Sequence, residues 1–451
     1  MADSVTNYLV ETAMAKRRRN DLEADRVDRI SNLPRNLIDL ILERLPLHDA
    51  ARTTILSKTW RNVWVMHPQL VFDKKFFFQL VTKKVEQTQL HEVSTIISNI
   101  LLLHTGPVLK FHLSIPRDLP LPYTDLWIKI ISSSGIRTLE ILNEPHIAYK
   151  MPSYMFSCLE LTHLSLSNCI LNPPSRFKGF RNLTDVKLFR VVITADMLFG
   201  TQLQSLDLAQ CTGIEHLGCQ FRNNNNLLRL LITDSEEIDW QWFECTKKVL
   251  VLTLVSLKES PNYRKKVISL DKLLGNMPDL YAIFIDGFFL KFSEPSPSPL
   301  KKLVTMEYLH ILFLTCVDIY DLIQIQYVMC LIRSSPKLQR IHILLKWDST
   351  ETLAARYGTK PLAARRVERY LELPNFANMT LYQLKTVLIE GIVGLRSELH
   401  FIKLLLASSP SLKKIKLRKS PIIKDPKEEL KILGELTRFP RASTAAQIIW
   451  T

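Results

Sequence analysis

Glycine is scarce in this chain: 12 of 451 residues. Loops that cradle phosphate need closely spaced glycines so that backbone N–H groups can approach the anion. Several such loops are therefore not expected, and no P-loop, dinucleotide fingerprint, HExxH pair or nucleophile motif occurs. Long apolar runs are missing too. The longest uncharged stretch, Val93 to Leu109, is interrupted by Ser, Thr, Asn, His, Gly and Pro, whereas a membrane-spanning helix needs about 20 mostly apolar residues. No apolar run follows the first charges, so neither a secretory leader nor a membrane span is expected. Cysteine is sparse and odd in number, seven without a CxxC pair. That usage fits a reducing compartment, so the nucleus or cytoplasm is the expected location.

Acidic residues are the minority, 44 against 59 Lys and Arg, which leaves a formal charge of +15. Excess positive charge favours acidic partners, whether nucleic acid, phosphoinositide surface or acidic protein, without choosing among them. The cations are spread along the chain and no aromatic-basic pattern for single strands stands out, so nucleic acid is not the expected partner. Lys16-Arg17-Arg18-Arg19 has the composition of a nuclear import signal or phosphate-seeking arm, and equally of solvated charge. Hydrophobic residues make up 47% and charged residues 23%, a balance that permits a sizeable folded core.

What is present is a repeat. Three apolar residues recur in the spacing apolar, two residues, apolar, one residue, apolar. The copies are Val108/Phe111/Leu113, Ile136/Leu139/Ile141, Leu161/Leu164/Leu166, Leu183/Val186/Leu188, Leu203/Leu206/Leu208 and Leu227/Leu230/Ile232. They continue as Val249/Leu252/Leu254, Leu280/Ile283/Ile285, Leu309/Leu312/Leu314, Leu338/Ile341/Ile343, Leu384/Val387/Ile389 and Leu412/Ile415/Leu417. Most start about 20–31 residues apart, the period range of leucine-rich and related solenoids. The longer step between Leu338 and Leu384 marks one insertion, to which the polar, basic stretch Asp348–Arg366 belongs.

In each copy the first residue enters the core and the alternating pair lies on one strand face. Ser165, Lys187 and Asp207 then point to the open face. Cys169 and Cys211 fall at the ninth position, where such repeats favour Asn or Cys to satisfy backbone groups in the turn. Pro278, Pro336 and Pro410 each follow an apolar helical run and precede a strand, which gives a unit of helix, proline turn and strand. Helical spacing also appears at Val93, Ile96, Ile97, Ile100 and Leu101, and an apolar cluster at Phe76-Phe77-Phe78.

The N-terminal stretch Asp28–Trp64 has a different pattern. Leu33-Pro34 is expected to open a helix carrying Leu37, Ile38, Ile41, Leu42 and Leu45, and Pro46 to stop it. Asp49 is expected to cap a second helix with Ala50, Ile55 and Leu56 on its apolar side, and Ser57 a third turn with Trp60, Arg61 and Trp64. Three short helices cannot bury all this apolar surface among themselves, so it either caps the following domain or is an interaction site.

The order of these residues resembles an F-box: Asp28-Arg29-Ile30-Ser31-Asn32-Leu33-Pro34, Ile41-Leu42, Leu45-Pro46, Asp49-Ala50, Arg52-Thr53, Leu56-Ser57-Lys58 and Trp60-Arg61-Asn62-Val63-Trp64. Thr59 departs from it, where a basic residue is usual. A second resemblance lies at Leu384-Lys385-Thr386-Val387, Gly391–Gly394, Glu398-Leu399, Phe401–Leu406 and Ser409–Leu412. That block is similar to the FBD region of plant F-box/FBD/LRR-repeat proteins, and the resemblance covers most of the chain. Physically it reads as two more repeat units that would close the end of the solenoid. The expected fold is an α/β repeat: a polar, basic N-terminus (1–25), an F-box (26–72), an irregular leucine-rich-repeat solenoid (73–370), FBD-like repeats (371–430) and a tail (431–451).

The resemblance implies a substrate-recognition subunit of a cullin-based ubiquitin ligase. Its F-box would dock on a Skp-family adaptor, and its repeats would bind a target protein. The alternatives are a stand-alone repeat-binding module or a nucleic-acid-binding protein. Leu33, Pro34, Ile38, Leu42, Leu45 and Pro46 are the expected adaptor-binding residues, although some must instead pack inside the small helical unit. Trp240, Trp242 and Phe243, beside Asp234, Glu236, Glu237 and Asp239, either fill space behind a strand or bind the target. No catalytic residue, cofactor or metal is expected. Cys211, His216, Cys219 and Cys245 match no common zinc spacing.

Overall fold

The structure, a computed structural model, describes residues 33–45, 47–55, 60, 63–81, 88–117, 122–144, 146–197, 199–217, 226–234, 246–256, 270–291, 305–346 and 361–451. The chain forms two compact units, Met1–Gly200 and Thr201–Thr451.

The first unit begins with short helices. Pro34 lies just before the helix Arg35–Glu43, with φ −54° and ψ 143°, and not in its first turn as expected. Its carbonyl accepts from the Leu37 and Ile38 amides at 2.9 and 3.2 Å. Ile38 and Leu42, one turn apart, face inward onto Ala50, Trp60 and Val63, and Leu33 packs against this core. Asp49 stands inside the first turn of the helix Leu47–Arg52, not at its cap, and reaches Arg52 at 3.9 Å. Ile55, expected on the apolar side, is 53% exposed.

Strand β1 (Gln69–Phe72) follows, then the helices Lys74–Val81 and Thr88–Leu103, β2 (Lys110–Ile115), the helix Thr124–Ser132 and β3 (Thr138–Asn143). Next come β4 (Tyr149–Lys150), β5 (His163–Ser167), β6 (Cys169–Leu171), β7 (Asp185–Phe189) and β8 (Val192–Ile193). β1, β2, β3, β5 and β7 pair in parallel with Leu70, Phe111, Leu139, Leu164 and Val186 in one register row. β4, β6 and β8 form a small second parallel sheet that the sequence pattern did not predict. Between them the chain turns through Asn168 and Arg190, both at φ 53°. The buried Cys169 thiol donates to the Ser167 carbonyl at 3.3 Å, the turn role expected of the ninth position.

Gly200 closes this unit at φ +83°, and a Cβ there would meet the Phe180 carbonyl oxygen at 2.1 Å. Both the left-handed backbone and the contact with main chain forbid a side chain. Gly200→Ala is expected to lower stability by about 2–3 kcal/mol, read from the urea midpoint. A midpoint equal to that of the wild type would contradict the geometry.

The second unit runs through β9 (Ser205–Ala209), β10 (Arg229–Thr233), β11 (Val251–Val255), β12 (Ala282–Asp286) and β13 (Ile311–Val317). It ends with β14 (Arg340–Leu345), β15 (Thr386–Ile392), β16 (Lys414–Lys419) and β17 (Gln447–Trp450). Successive strands β9 to β17 pair in parallel. The helices Leu270–Gly275, Leu322–Arg333 and Arg396–Ser408 precede Pro278, Pro336 and Pro410, the expected unit. In the insertion, the helix Pro361–Leu371 buries Val367, Tyr370 and Leu371.

All thirty-six residues of the twelve sequence triplets are buried, none more than 3% exposed. Besides β4, β6 and β8, two strands escaped the pattern. β1 has His67 where the first apolar residue belongs, and that histidine is 4% exposed. β17 has Ala445 at that place, and its Ile448 and Trp450 lie beside Ile415 and Leu417.

Two buried acids fix strand-to-helix turns. Asp286, at 0% exposure, accepts from the amides of Ser256 and Phe289. Glu398, at 3%, accepts through Oε2 from the amides of Val393, Gly394 and Leu395 at 3.0, 2.8 and 3.0 Å. Burial pushes each carboxyl up to about 7, against the pull of the N–H donors. A carboxyl raised in the fold stabilises it fully below its unfolded pKa, and that share is lost as pH rises through the folded value. From pH 5 to 8 each group is thus expected to withdraw about 2–3 kcal/mol. Urea midpoints at the two pH values check this. Glu398→Gln, which stays neutral, should flatten its part of the slope, and equal wild-type midpoints at pH 5 and 8 would contradict it.

Candidate functional site

Two surfaces have the make-up of binding sites. The first is the apolar side of the helix Arg35–Glu43. The core of so small a unit takes one i, i+4 row, Ile38 and Leu42. The neighbouring positions are left outside: Leu37 is 41% exposed, Leu40 50%, Ile41 39% and Leu45 36%. Pro34 is exposed at the start of this stripe. Contiguous exposed apolar side chains of this kind mark interaction sites.

Of the six expected adaptor-binding residues, the structure thus brings Pro34 and Leu45 to the surface. It leaves Leu33 half-buried and places Ile38 and Leu42 in the core. Pro46 lies outside the described residues. Leu37, Leu40 and Ile41 were missing from that set, and only a three-dimensional count of which row the core accepts separates them from Ile38 and Leu42. Leu56, Ser57, Arg61, Trp240, Trp242 and Phe243 also lie outside the described residues, as do Cys219 and Cys245. Cys211 is buried and donates to the Ala209 carbonyl at 3.4 Å.

The second surface is the open face of the strands. Along each strand the residues between the buried pair are half-buried or exposed, as Ser165, Lys187 and Asp207 are. In the first unit this face is mixed in charge. Glu140 meets His112 at 2.6 Å and Lys110 at 3.4 Å. The His112 hydrogen bond, aided by Lys110 and opposed by partial burial, holds the Glu140 carboxyl down to about 2. An open hollow of about 380 Å³ there is lined by Lys110, Thr138, Glu140, His163, Asp185 and Lys187, among others.

In the second unit the same face changes character along the sheet. Phe284 and Phe313 lie 5.3 Å apart between ring centres, and the His342 ring meets Phe313 at 4.1 Å, edge to face. Beyond them β14, β15 and β16 set Arg340, Thr386 and Lys414 in one row, His342, Leu388 and Lys416 in the next, and Leu344, Glu390 and Arg418 in the third. Glu390 accepts from both His342 and Arg418 at 2.6 Å. Burial opposes its charge, but these two hydrogen bonds outweigh it and leave the carboxyl below its usual range. The cations that the sequence spreads along the chain are gathered here by the fold.

Among the described residues, no three His, Cys, Asp or Glu side chains converge as a metal site, and no helix is long and apolar enough to cross a membrane. The shapes and chemistry suit contact with other macromolecules.

Comparison with known proteins agrees with this division. The F-box domain family model matches residues 30–71. The family model described as At1g61320/AtMIF1, LRR domain, matches residues 100–430. F-box/FBD/LRR-repeat protein At1g13570 of Arabidopsis thaliana is 29% identical over 437 residues, spanning 94% of this chain and 98% of that protein. F-box/FBD/LRR-repeat protein At3g52680 of the same plant is 24% identical over 461 residues, spanning 94% and 93%. Among solved structures, an internalin from Listeria monocytogenes aligns with a TM-score of 0.40 at 13% identity, covering 79% of this chain and 94% of that one.

Proposed function

This chain belongs to the plant F-box/FBD/LRR-repeat protein family, and from that premise we propose that it is the substrate-recognition subunit of a Skp–cullin–F-box ubiquitin ligase. The observation that carries the reading is the apolar stripe Pro34, Leu37, Leu40, Ile41 and Leu45, left outside the core of a motif that matches the F-box model. Burying such a stripe against an adaptor removes several aliphatic side chains from water, at roughly 25 cal/mol per Å² of apolar area. Ile38 and Leu42 support that stripe from behind.

The strand face then holds the target protein. The chain contributes proximity and no bond-making group of its own. Bringing target and ubiquitin-charged enzyme onto one assembly raises their effective concentration. It acts in the nucleus or cytosol, where the ligase components are found.

Co-purification tests the assembly. The tagged full chain, expressed in plant cells, is expected to bring down a Skp-family adaptor together with a cullin. A folded chain that captures no member of a panel of plant adaptors would overturn the reading and leave a stand-alone repeat-binding module.

A further inference from the structure

The open face of β14–β16 carries the cations Arg340, Lys414, Lys416 and Arg418 against one acid, Glu390. β16 alternates cations on the open face with core residues: Lys414 exposed, Ile415 buried, Lys416 half-buried, Leu417 buried and Arg418 exposed. Alternate residues on a strand stand roughly 6.7 Å apart. Arg340 lies in the Lys414 row, one strand beyond Thr386. Among the described residues, Arg340, Lys414 and Lys416 make no ion pair, and Glu390, the acid of these rows, is already shared by His342 and Arg418. Between the cations lie apolar side chains. Leu388 sits in register between His342 and Lys416, and Ile449 lies beside Lys416 on β17.

We propose that this face, which lies largely on the FBD-like repeats, binds an extended acidic segment of the target that carries a carboxylate at every second position. An extended peptide repeats its side chains at the same roughly 6.7 Å, so one row of carboxylates meets Lys414, Lys416 and Arg418 in step. The intervening residues point away from the face, and the methylene stems of the carboxylate side chains lie against Leu388 and Ile449. Charge complementarity selects and orients the segment.

Nucleic acid fits the same face less well. The Phe313 ring is packed by Phe284 on one side and by His342, edge to face, on another, so it does not offer the open ring on which a base stacks. The inference rests on the reading of the strand face as the target's surface, and it does not depend on the F-box.

The test is fluorescence anisotropy with the full chain and a labelled peptide of alternating glutamate and leucine. Its glutamine–leucine counterpart and an oligothymidylate serve as the other probes. The wild type is expected to bind the acidic peptide, more weakly as salt rises, and the amide peptide at least about tenfold less tightly. The open-face variant Lys414→Glu/Lys416→Glu is expected to lose at least about tenfold in affinity for the acidic peptide while still unfolding cooperatively in urea. Lys187→Glu, on the first unit, should bind as the wild type does. Failure of the wild type to bind, equal binding of the amide peptide, unchanged binding by the double variant, or tighter binding of the oligothymidylate would each overturn the proposal. Adaptor capture measured on the same samples keeps the two readings apart: capture with no peptide binding removes only this inference, and peptide binding with no capture removes only the ligase reading.

Discussion

Replacing Glu398 with alanine is expected to destabilise the fold by about 3–4 kcal/mol at pH 5, where the carboxyl is neutral, one of the largest single-residue effects in the second unit. One carboxylate oxygen accepts three consecutive backbone N–H groups, from Val393, Gly394 and Leu395. They are the donors at the turn from β15 into the helix Arg396–Ser408, where helical bonding supplies no acceptor. Alanine leaves all three without a protein partner and opens a small void at a site 3% exposed. Each unpaired buried donor costs about 1–3 kcal/mol, with the lower end fitting here because the three residues are themselves half-buried. Glutamine keeps an acceptor and carries no charge to bury, so Glu398→Gln should stay within about 1 kcal/mol of the wild type at pH 5. Urea titrations of the two variants check the pair. Equal midpoints for Glu398→Ala and the wild type would show that these hydrogen bonds hold nothing.

The repeat was legible because its signal is periodic. Val387 and Ile389, or Ile415 and Leu417, declare a half-buried strand by alternation, and Leu384 or Leu412 adds the anchor three residues earlier. Where the anchor was not a large apolar residue the strand went unseen, as with His67 before β1 and Ala445 before β17. Buried acids were not legible. Asp286 and Glu398 are of a residue type that is nearly always solvated, and nothing local distinguishes them from Asp321 or Asp425, which cap helices nearer the surface. A weaker signal did exist, an acid within the first turn of a helical run that follows a strand. The charged face of β14–β16 was hidden for another reason. Lys414, Lys416 and Arg418 alternate within one strand, but Arg340 lies far earlier in the sequence, and only strand register brings it into the Lys414 row.

The F-box was legible as a motif and ambiguous as a surface. Leu37, Ile38, Ile41, Leu42 and Leu45 all belong to one apolar stripe by helical spacing. That stripe is wider than the core of the unit can accept, so the surplus faces outward. A charge placed on the surplus should leave the fold intact. Leu40 and Ile41 are 50% and 39% exposed, whereas an aspartate at Ile38, 3% exposed, would be buried without a partner and unfold the unit. Docking reverses the accounting at the outer pair. Two carboxylates forced into an apolar interface lose their hydration, and each such unpaired buried charge costs several kcal/mol.

The most direct measurement is therefore the affinity of a purified plant Skp-family adaptor for the wild-type chain and for Leu40→Asp/Ile41→Asp, with urea midpoints recorded on both. The double variant is predicted to fold as the wild type does and to bind the adaptor at least about 100-fold more weakly. Adaptor binding that survives in the folded double variant would contradict the placement of the adaptor on this exposed stripe, and with it the account of how the chain joins a ligase.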